Sequence, residues 1–140
     1  MSLDAIENKM IREQFHEPRI HFAIVCASEG CPRISREAYT RERLEAQLDA
    51  QARRFVNEDR TVKIESNTGR LNLSKIFDWF QKDFLETLPE GQKKITFYLK
   101  RYLTPERQQV LDRLQAPRIE YIEYDWRIND QARSDIVSSR

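Results

Sequence analysis

The sequence predicts an α+β protein, a helix-rich single domain packed on a small, mostly antiparallel sheet. Three observations favour this class. Several segments repeat apolar residues at helical spacing, and shorter segments alternate apolar and polar residues as strands do. Only three glycines occur in 140 residues, which favours helices and short connections over a turn-rich β sandwich.

The chain is expected to open with an amphipathic helix over residues 3–14. Its apolar residues recur three or four positions apart, on one helical face: Leu3, Ile6 and Met10. Ser2 is a suitable N-cap, and Pro18 ends the helix. The next run, IHFAIVCA, is short, almost continuously apolar and bounded by Pro and Gly, so it predicts a buried strand from Ile20 to Cys26 that leads into a loop.

A longer helix is expected from Thr40, as its cap, to about Asn57. Five apolar residues form its predicted inner face: Leu44, Leu48, Ala52, Phe55 and Val56. The segments TVKIE and RLNLS flank SNTG and alternate in polarity, so they predict a β-hairpin. Ser74 then caps a helix with the sequence KIFDWFQKDF, which places its apolar residues on one face.

Two further helices and a strand complete the predicted domain. The first helix covers residues 95–103, and the second begins with Thr104 as cap and Pro105 in the first turn. The segment RIEYIEYDW predicts the last strand. We expect one globular domain over residues 1–130 and a frayed polar tail over residues 131–140.

Charge and composition exclude several classes of partner. The 24 Lys and Arg residues against 23 Asp and Glu residues give a net charge of +1, which offers no basic surface to attract nucleic acid. The apolar runs are far shorter than the roughly 20 residues that cross a membrane, and the first residues have no apolar core of a signal peptide. The chain as it stands is therefore expected to be cytoplasmic, without nucleic acid, membrane or cofactor.

The run HEPRIHFAIVCASEGCP places four chemically active residues at intervals of five: His16, His21, Cys26 and Cys31. A metal site is the first interpretation to test. Five steps along a strand separate two residues by roughly 16 Å and turn their side chains to opposite faces. His21 and Cys26 would then be unable to share an ion, so we predict no metal site.

Two interpretations of the cysteines stay open. The turn between Cys26 and Cys31 allows a disulfide if the Cα atoms approach to within about 7 Å. Alternatively, one cysteine is a nucleophile that needs a base and an orienting group. Cys31, in the loop, is expected to be the more exposed cysteine, whereas Cys26 and His21 are expected to be structural unless His21 serves as that base.

Five blocks of the sequence, taken together, resemble the domain of unknown function 547 family of bacteria and plants. They are SLDAIENKMIR, RIHFAIVCASEGCP, AYTRERLEAQLDAQARRFVN, NLSKIFDWFQKDF and IEYDWRIND. The positions that match the family signature are Arg19, His21, Cys26, Ser28, Cys31, Pro32, Tyr124, Asp125, Trp126 and Asn129.

This resemblance implies little about activity, because the molecular function of the family is not established. Members usually carry Asn where this chain has Val25, and their domain usually begins earlier, with an aromatic, Asn-rich helix. The chain is therefore expected to be an N-terminally truncated member that resembles the C-terminal part of the family domain. A native start that carried an export signal would instead make the protein periplasmic or secreted.

Two functions are compatible with these residues. The favoured expectation is a non-enzymatic structural or protein-interaction module, which forms a homodimer because the truncated edge exposes apolar surface. The alternative is a thiol-dependent hydrolase or transferase, distantly similar to papain- and transglutaminase-type enzymes, with Cys31 as nucleophile, His21 as base and Asp125 as orienting group. In the first case Tyr124 and Trp126 are expected to close the core while Asp125 pairs locally.

Overall fold

The computed structural model describes residues 2–130, and its first element is a helix over residues 3–15 (α1). It is α-helical at Leu3–Ala5 and Glu13–Phe15, with wider π-helical turns between them. The Ser2 hydroxyl accepts a hydrogen bond of 3.1 Å from the Ala5 N–H, which confirms the predicted N-cap. The helix ends where His16 adopts a left-handed conformation with φ of 48°, two residues before Pro18.

The predicted strand from Ile20 to Cys26 is wrong, because Pro18–Phe22 forms a 3₁₀ helix. The fixed φ of Pro18 suits a first helical turn, and the Glu17 carboxylate caps it by accepting a 3.0 Å bond from the Arg19 N–H. An apolar run alone does not distinguish a buried strand from a short buried helix. The 3₁₀ helix buries the Phe22 side chain completely, while the chain beyond it returns to the surface.

The next helix, α2, covers Leu44–Val56 and begins three residues later than predicted. Thr40 does not cap it; the Thr40 N–H instead donates to the side chain of Gln47 at 3.0 Å. Leu44 is exposed, contrary to the prediction. The other four residues of the predicted inner face are buried: Leu48, Ala52, Phe55 and Val56.

The sheet has three strands in the order β1-β2-β3. The predicted hairpin is confirmed as β1, Val62–Glu65, paired antiparallel with β2, Arg70–Ser74. The last strand, β3, covers only Arg118–Ile122 and pairs parallel with β2. The α+β class is therefore confirmed, but the sheet is mixed, because the helical segments between β2 and β3 bring the chain back in the same direction.

Four short helices connect β2 to β3: α3 at Lys75–Trp79, α4 at Gln81–Glu86, α5 at Ile95–Lys100 and α6 at Pro105–Arg113. The single helix predicted after Ser74 breaks at Phe80, whose φ of −113° is not helical. The predicted caps Ser74 and Thr104 are confirmed, since each hydroxyl accepts a backbone N–H of the following helix.

A cluster of aromatic rings forms the centre of the core. The Phe22 ring lies 4.8 Å from that of Phe55 and 5.5 Å from that of Phe84, and Phe77 packs against all three. Burying a phenylalanine side chain stabilises a fold by about 1.5–3 kcal/mol. This cluster therefore fixes the 3₁₀ helix, and with it the adjacent His21.

The tail predicted over residues 131–140 lies outside the described residues. Within residues 2–130, no helix combines the length and the apolar character that a membrane crossing requires.

Candidate functional site

His21 lies beneath the surface in a pair with Asp83 of α4. Its side chain is only 2% exposed, and its Nε2 lies 2.8 Å from Asp83 Oδ2. The imidazole stacks on the Phe80 ring with the two centroids 3.8 Å apart. An ionised carboxylate only accepts hydrogen bonds, so Nε2 is the nitrogen that carries the proton.

Arg12 of α1 completes this cluster. Its Nε lies 2.7 Å from Asp83 Oδ2, its Nη2 lies 3.1 Å from Asp83 Oδ1, and its guanidinium sits over the Phe80 ring. The arrangement is the two-pronged geometry in which arginine binds a carboxylate most strongly. It connects α1 to α4.

The electrostatics of this cluster favour a neutral imidazole beside an ion pair. Burial lowers the pKa of His21 below its ordinary value of 6.5, although the hydrogen bond with Asp83 opposes the shift. Burial raises the pKa of Asp83, but hydrogen bonds from Arg12 and His21 outweigh it and the pKa is lowered. A cavity of about 330 Å³ reaches Arg12 and Asp83 but is not lined by His21, so the imidazole has no access to a substrate from this side.

The two cysteines of the chain are paired. The Cα atoms of Cys26 and Cys31 are 6.2 Å apart, and their sulfur atoms lie at disulfide distance. Cys26 is exposed, whereas Cys31 is only 7% exposed. The sequence-based expectation was therefore wrong about which cysteine is the accessible one.

Tyr124 is the common neighbour of the cysteine pair. Its hydroxyl oxygen lies 3.4 Å from each sulfur and 3.0 Å from the Ser28 hydroxyl oxygen. A Cβ atom at Gly30 would approach the Tyr124 ring to 2.9 Å, closer than such atoms come in proteins. Glycine at this position therefore lets the ring reach the disulfide.

The cysteine loop is joined by backbone hydrogen bonds to the segment after β3. The Glu29 N–H donates to the Arg127 carbonyl at 2.8 Å, and the Gly30 N–H donates to the Asp125 carbonyl at 2.9 Å. The Asn129 N–H donates back to the Ala27 carbonyl at 2.9 Å. Residues from two distant blocks of the sequence thus meet at this loop, where Pro32 is also buried.

The structure does not bring the predicted catalytic residues together. The Asp125 carboxylate accepts hydrogen bonds from the backbone and side chain of Arg127, in agreement with the expected local pairing. Between residues 2 and 130, no hydrogen bond joins His21 to Cys26 or Cys31. The assignment of Cys31, His21 and Asp125 as catalytic stays a prediction.

An aromatic group lies beside the cysteine loop. The Tyr124 ring centroid is 4.9 Å from that of Trp79 and 4.5 Å from that of Trp126. Tyr124 packs against the core as expected, but Trp126 is 69% exposed. The expectation that Trp126 closes the core is wrong, because its strand ends at Ile122.

Arg19, another signature residue, binds three carboxylates. Its guanidinium lies 2.6 Å from Glu17, 2.8 Å from Glu45 and 2.8 Å from Asp49. The hydrogen bond with Glu17 raises the pKa of Arg19 further above its ordinary value, against the effect of burial. Its role is to hold the 3₁₀ helix against α2.

An apolar groove of about 550 Å³ lies between α1, the 3₁₀ helix and α2. Eight of its lining residues are apolar or aromatic: Ile11, Phe15, Ile20, Ala23, Ile24, Tyr39, Leu44 and Leu48. Phe15 is 71% exposed, and Leu44 and Ile24 are also exposed. This groove was not predicted from the sequence, because its lining residues come from separate segments of the chain.

Two residues of the His21 cluster were also missed from the sequence. Arg12 and Asp83 stand 71 positions apart, so no local pattern joins them.

For the described part of the chain, no group of three or more His, Cys, Asp or Glu residues is arranged to hold a metal ion.

Comparison with known proteins gives one match. The family model described as "Protein of unknown function, DUF547" matches residues 1–56, which include α1, the 3₁₀ helix, both cysteines and α2. The resembling blocks after residue 56 lie outside the matched range. No curated protein and no solved structure matches the chain. Residues 1–56 of the chain are therefore similar to DUF547, a protein family of unknown function.

Proposed function

We propose that the chain is a protein-interaction module that binds a second copy of itself through the apolar groove. The observation that carries this proposal is the groove itself, together with the exposed apolar side of α1 next to it. Single exposed apolar residues are normal on a protein surface, whereas a contiguous apolar patch marks an interaction site.

The exposed side of α1 has the chemistry to fill such a groove. Leu3, Ile6 and Met10 recur at helical spacing and are all exposed, and α1 contains no buried residue. An amphipathic helix that lies in an apolar groove is a common mode of protein recognition. The chain therefore carries both halves of one interface.

The charges at the rim agree with a second copy as the occupant. Lys9 is exposed on α1, and the Glu45 carboxylate at the groove is 82% exposed even though Arg19 contacts it. In a two-fold dimer the same patch meets itself, so each α1 enters the groove of its partner. Opposite charges would then face each other twice.

Sedimentation equilibrium at tens of micromolar tests this proposal. We expect a dimer for the native chain and a monomer for Phe15→Asp. Each dimer contains two copies of Phe15, so losing about 1.5–3 kcal/mol of burial at each weakens association at least about 100-fold.

Ile34→Asp is the matched control, because Ile34 is also 71% exposed but does not line the groove. This variant should remain a dimer. A native chain that is monomeric at these concentrations would overturn the proposal, and so would an Ile34→Asp variant that dissociates as readily as Phe15→Asp.

The alternative of a thiol-dependent hydrolase or transferase finds no comparable support. That chemistry needs a free thiolate within hydrogen-bond reach of a base. Here the sulfurs of Cys26 and Cys31 lie at disulfide distance, and His21 is paired with Asp83. No geometry favours it as a second function.

A further inference from the structure

Independently of the groove, we propose that the Cys26–Cys31 disulfide is a thiol–disulfide exchange site. An incoming thiolate attacks the Cys26 sulfur, and the Cys31 sulfur leaves as a thiolate. The substrate class is a thiol, either a small monothiol or a protein dithiol.

The two sulfurs differ in access, and access decides which one is attacked. Cys26 is exposed at the start of the loop, whereas Cys31 is buried. A thiolate approaching from solvent therefore reaches Cys26 first. A disulfide with a purely structural role has no need of this asymmetry.

The buried sulfur has the surroundings of a leaving group. The Cys26 N–H donates to Cys31 Sγ at 2.8 Å, a bond that Cys26 Sγ lacks, and the Tyr124 hydroxyl lies 3.4 Å from both sulfurs. Hydrogen bonds to a thiolate favour the charged form, and a better stabilised leaving thiolate departs faster. The donors are already in place before the S–S bond breaks.

The loop is held by contacts that do not depend on the disulfide. Arg60 donates to the carbonyl oxygens of Glu29 at 3.2 Å and Cys31 at 3.1 Å. The backbone bonds to the segment after β3 hold Glu29 and Gly30 as well. Opening the S–S bond therefore leaves the two sulfurs close enough to pair again.

The exchange balances in two steps. The first thiolate forms a bond to the Cys26 sulfur, and the electron pair of the broken S–S bond goes to Cys31. A second thiol of the reductant then attacks the reductant-derived sulfur of the mixed disulfide. This step releases the Cys26 sulfur as a thiolate. Two reductant thiols are oxidised to one disulfide, the protein gains two electrons, and its thiolates take protons from water.

Reduced glutathione and dithiothreitol, at equal thiol concentration, are the probes for the folded chain. Alkylation followed by mass measurement counts the thiols formed, while circular dichroism follows the fold. We expect either reagent to open the disulfide without loss of the folded signal. A faster reaction with glutathione identifies a small monothiol as the substrate, and a faster reaction with dithiothreitol identifies a dithiol.

Single-cysteine variants test which sulfur reacts. With oxidised glutathione, Cys31→Ser should form a mixed disulfide at least about ten times faster than Cys26→Ser, because only the former keeps the exposed thiol. Tyr124→Phe should slow reduction of the native pair several-fold. Tyr121→Phe, which removes a hydroxyl from β3 away from the sulfurs, should not.

Three results would overturn the proposal. They are a disulfide that resists both reagents until the protein is unfolded, loss of the folded signal together with reduction, and equal reaction rates for the two single-cysteine variants. None of these outcomes depends on whether the chain is a dimer.

Discussion

His21 illustrates at the residue scale how surroundings decide the role of a side chain. From the sequence alone it was a candidate base, because His is the residue most often used for proton transfer near neutral pH. Burial instead keeps it neutral, although Asp83 opposes this, and the neutral ring donates a hydrogen bond to Asp83. The sequence indicated a structural His but gave no hint of its partner, which lies 62 positions away.

The neutral state of His21 predicts acid sensitivity. Its folded pKa is lowered from 6.5, so it adds stability at pH values above 6.5 that is lost as the pH falls through the folded value. Urea denaturation of the native chain should therefore show the free energy of unfolding decreasing between about pH 7.5 and about pH 5. His21→Gln should remove much of this dependence.

His16 provides the control for that measurement. It is exposed and is the other of the two histidines in the chain. His16→Gln should keep the pH dependence of the native chain. If it instead abolished the dependence while His21→Gln preserved it, our account of the buried pair would be wrong. A second loss of stability is expected below the ordinary value of 3.8 for Asp83, whose pKa is also lowered.

At the scale of elements, three of the four caps predicted from backbone chemistry are correct, and the cap at Thr40 is not. The caps at Ser2, Ser74 and Thr104 are where the sequence placed them. The strand predicted over Ile20–Cys26 was wrong because it was inferred from a continuous apolar run. Such a run indicates that residues are buried but not which backbone groups they bond to. The segment has no neighbouring strand within the three-stranded sheet, so its buried residues are held by a 3₁₀ helix instead.

The attachment of α1 is a second property of elements. This helix buries no residue, and the bond between Arg12 and Asp83 ties it to α4. Arg12→Gln should therefore loosen α1. Hydrogen exchange of the amides in residues 3–15 should become faster. The loss of the charged hydrogen bonds is expected to lower the free energy of opening of α1 by about 1.5–3 kcal/mol.

Glu13→Gln is the comparison for this experiment, since it changes an exposed charge on the same helix. It should leave the exchange of α1 unchanged, and α2 should stay protected in both variants. Equal exchange in Arg12→Gln and the native chain would show that other contacts hold the helix.

For the whole molecule, the α+β class followed from periodicity, but the direction of β3 did not. The parallel pairing of Leu71 with Ile119 depends on where the chain returns after α6, and no local pattern reports that. The residues that line the groove could likewise not be predicted from local sequence patterns. They come from three separate segments, and only the packing of α1 against the rest brings them together.

Because one aromatic cluster forms the centre of the core, we expect a single substitution within it to destabilise the whole fold. Phe84 is completely buried and contacts three other aromatic rings of the core. Phe84→Ala should lower the free energy of unfolding by about 3–5 kcal/mol. Guanidinium denaturation measures this, with Phe97→Ala as the control on neighbouring α5.

Phe97 is exposed, so its truncation should cost no more than about 1 kcal/mol. A cost for Phe84→Ala as small as that for Phe97→Ala would mean that the core does not depend on the aromatic cluster.

The position of the tryptophans has a spectroscopic consequence. The chain has two tryptophans, and both belong to the group around Tyr124, with Trp79 on α3 and Trp126 beyond β3. Neither belongs to the Phe22 cluster. Tryptophan emission is therefore a reporter of one corner of the molecule, where the segment after β3 meets the cysteine loop. A change in emission without a change in circular dichroism would signal movement at that corner while the core stays intact.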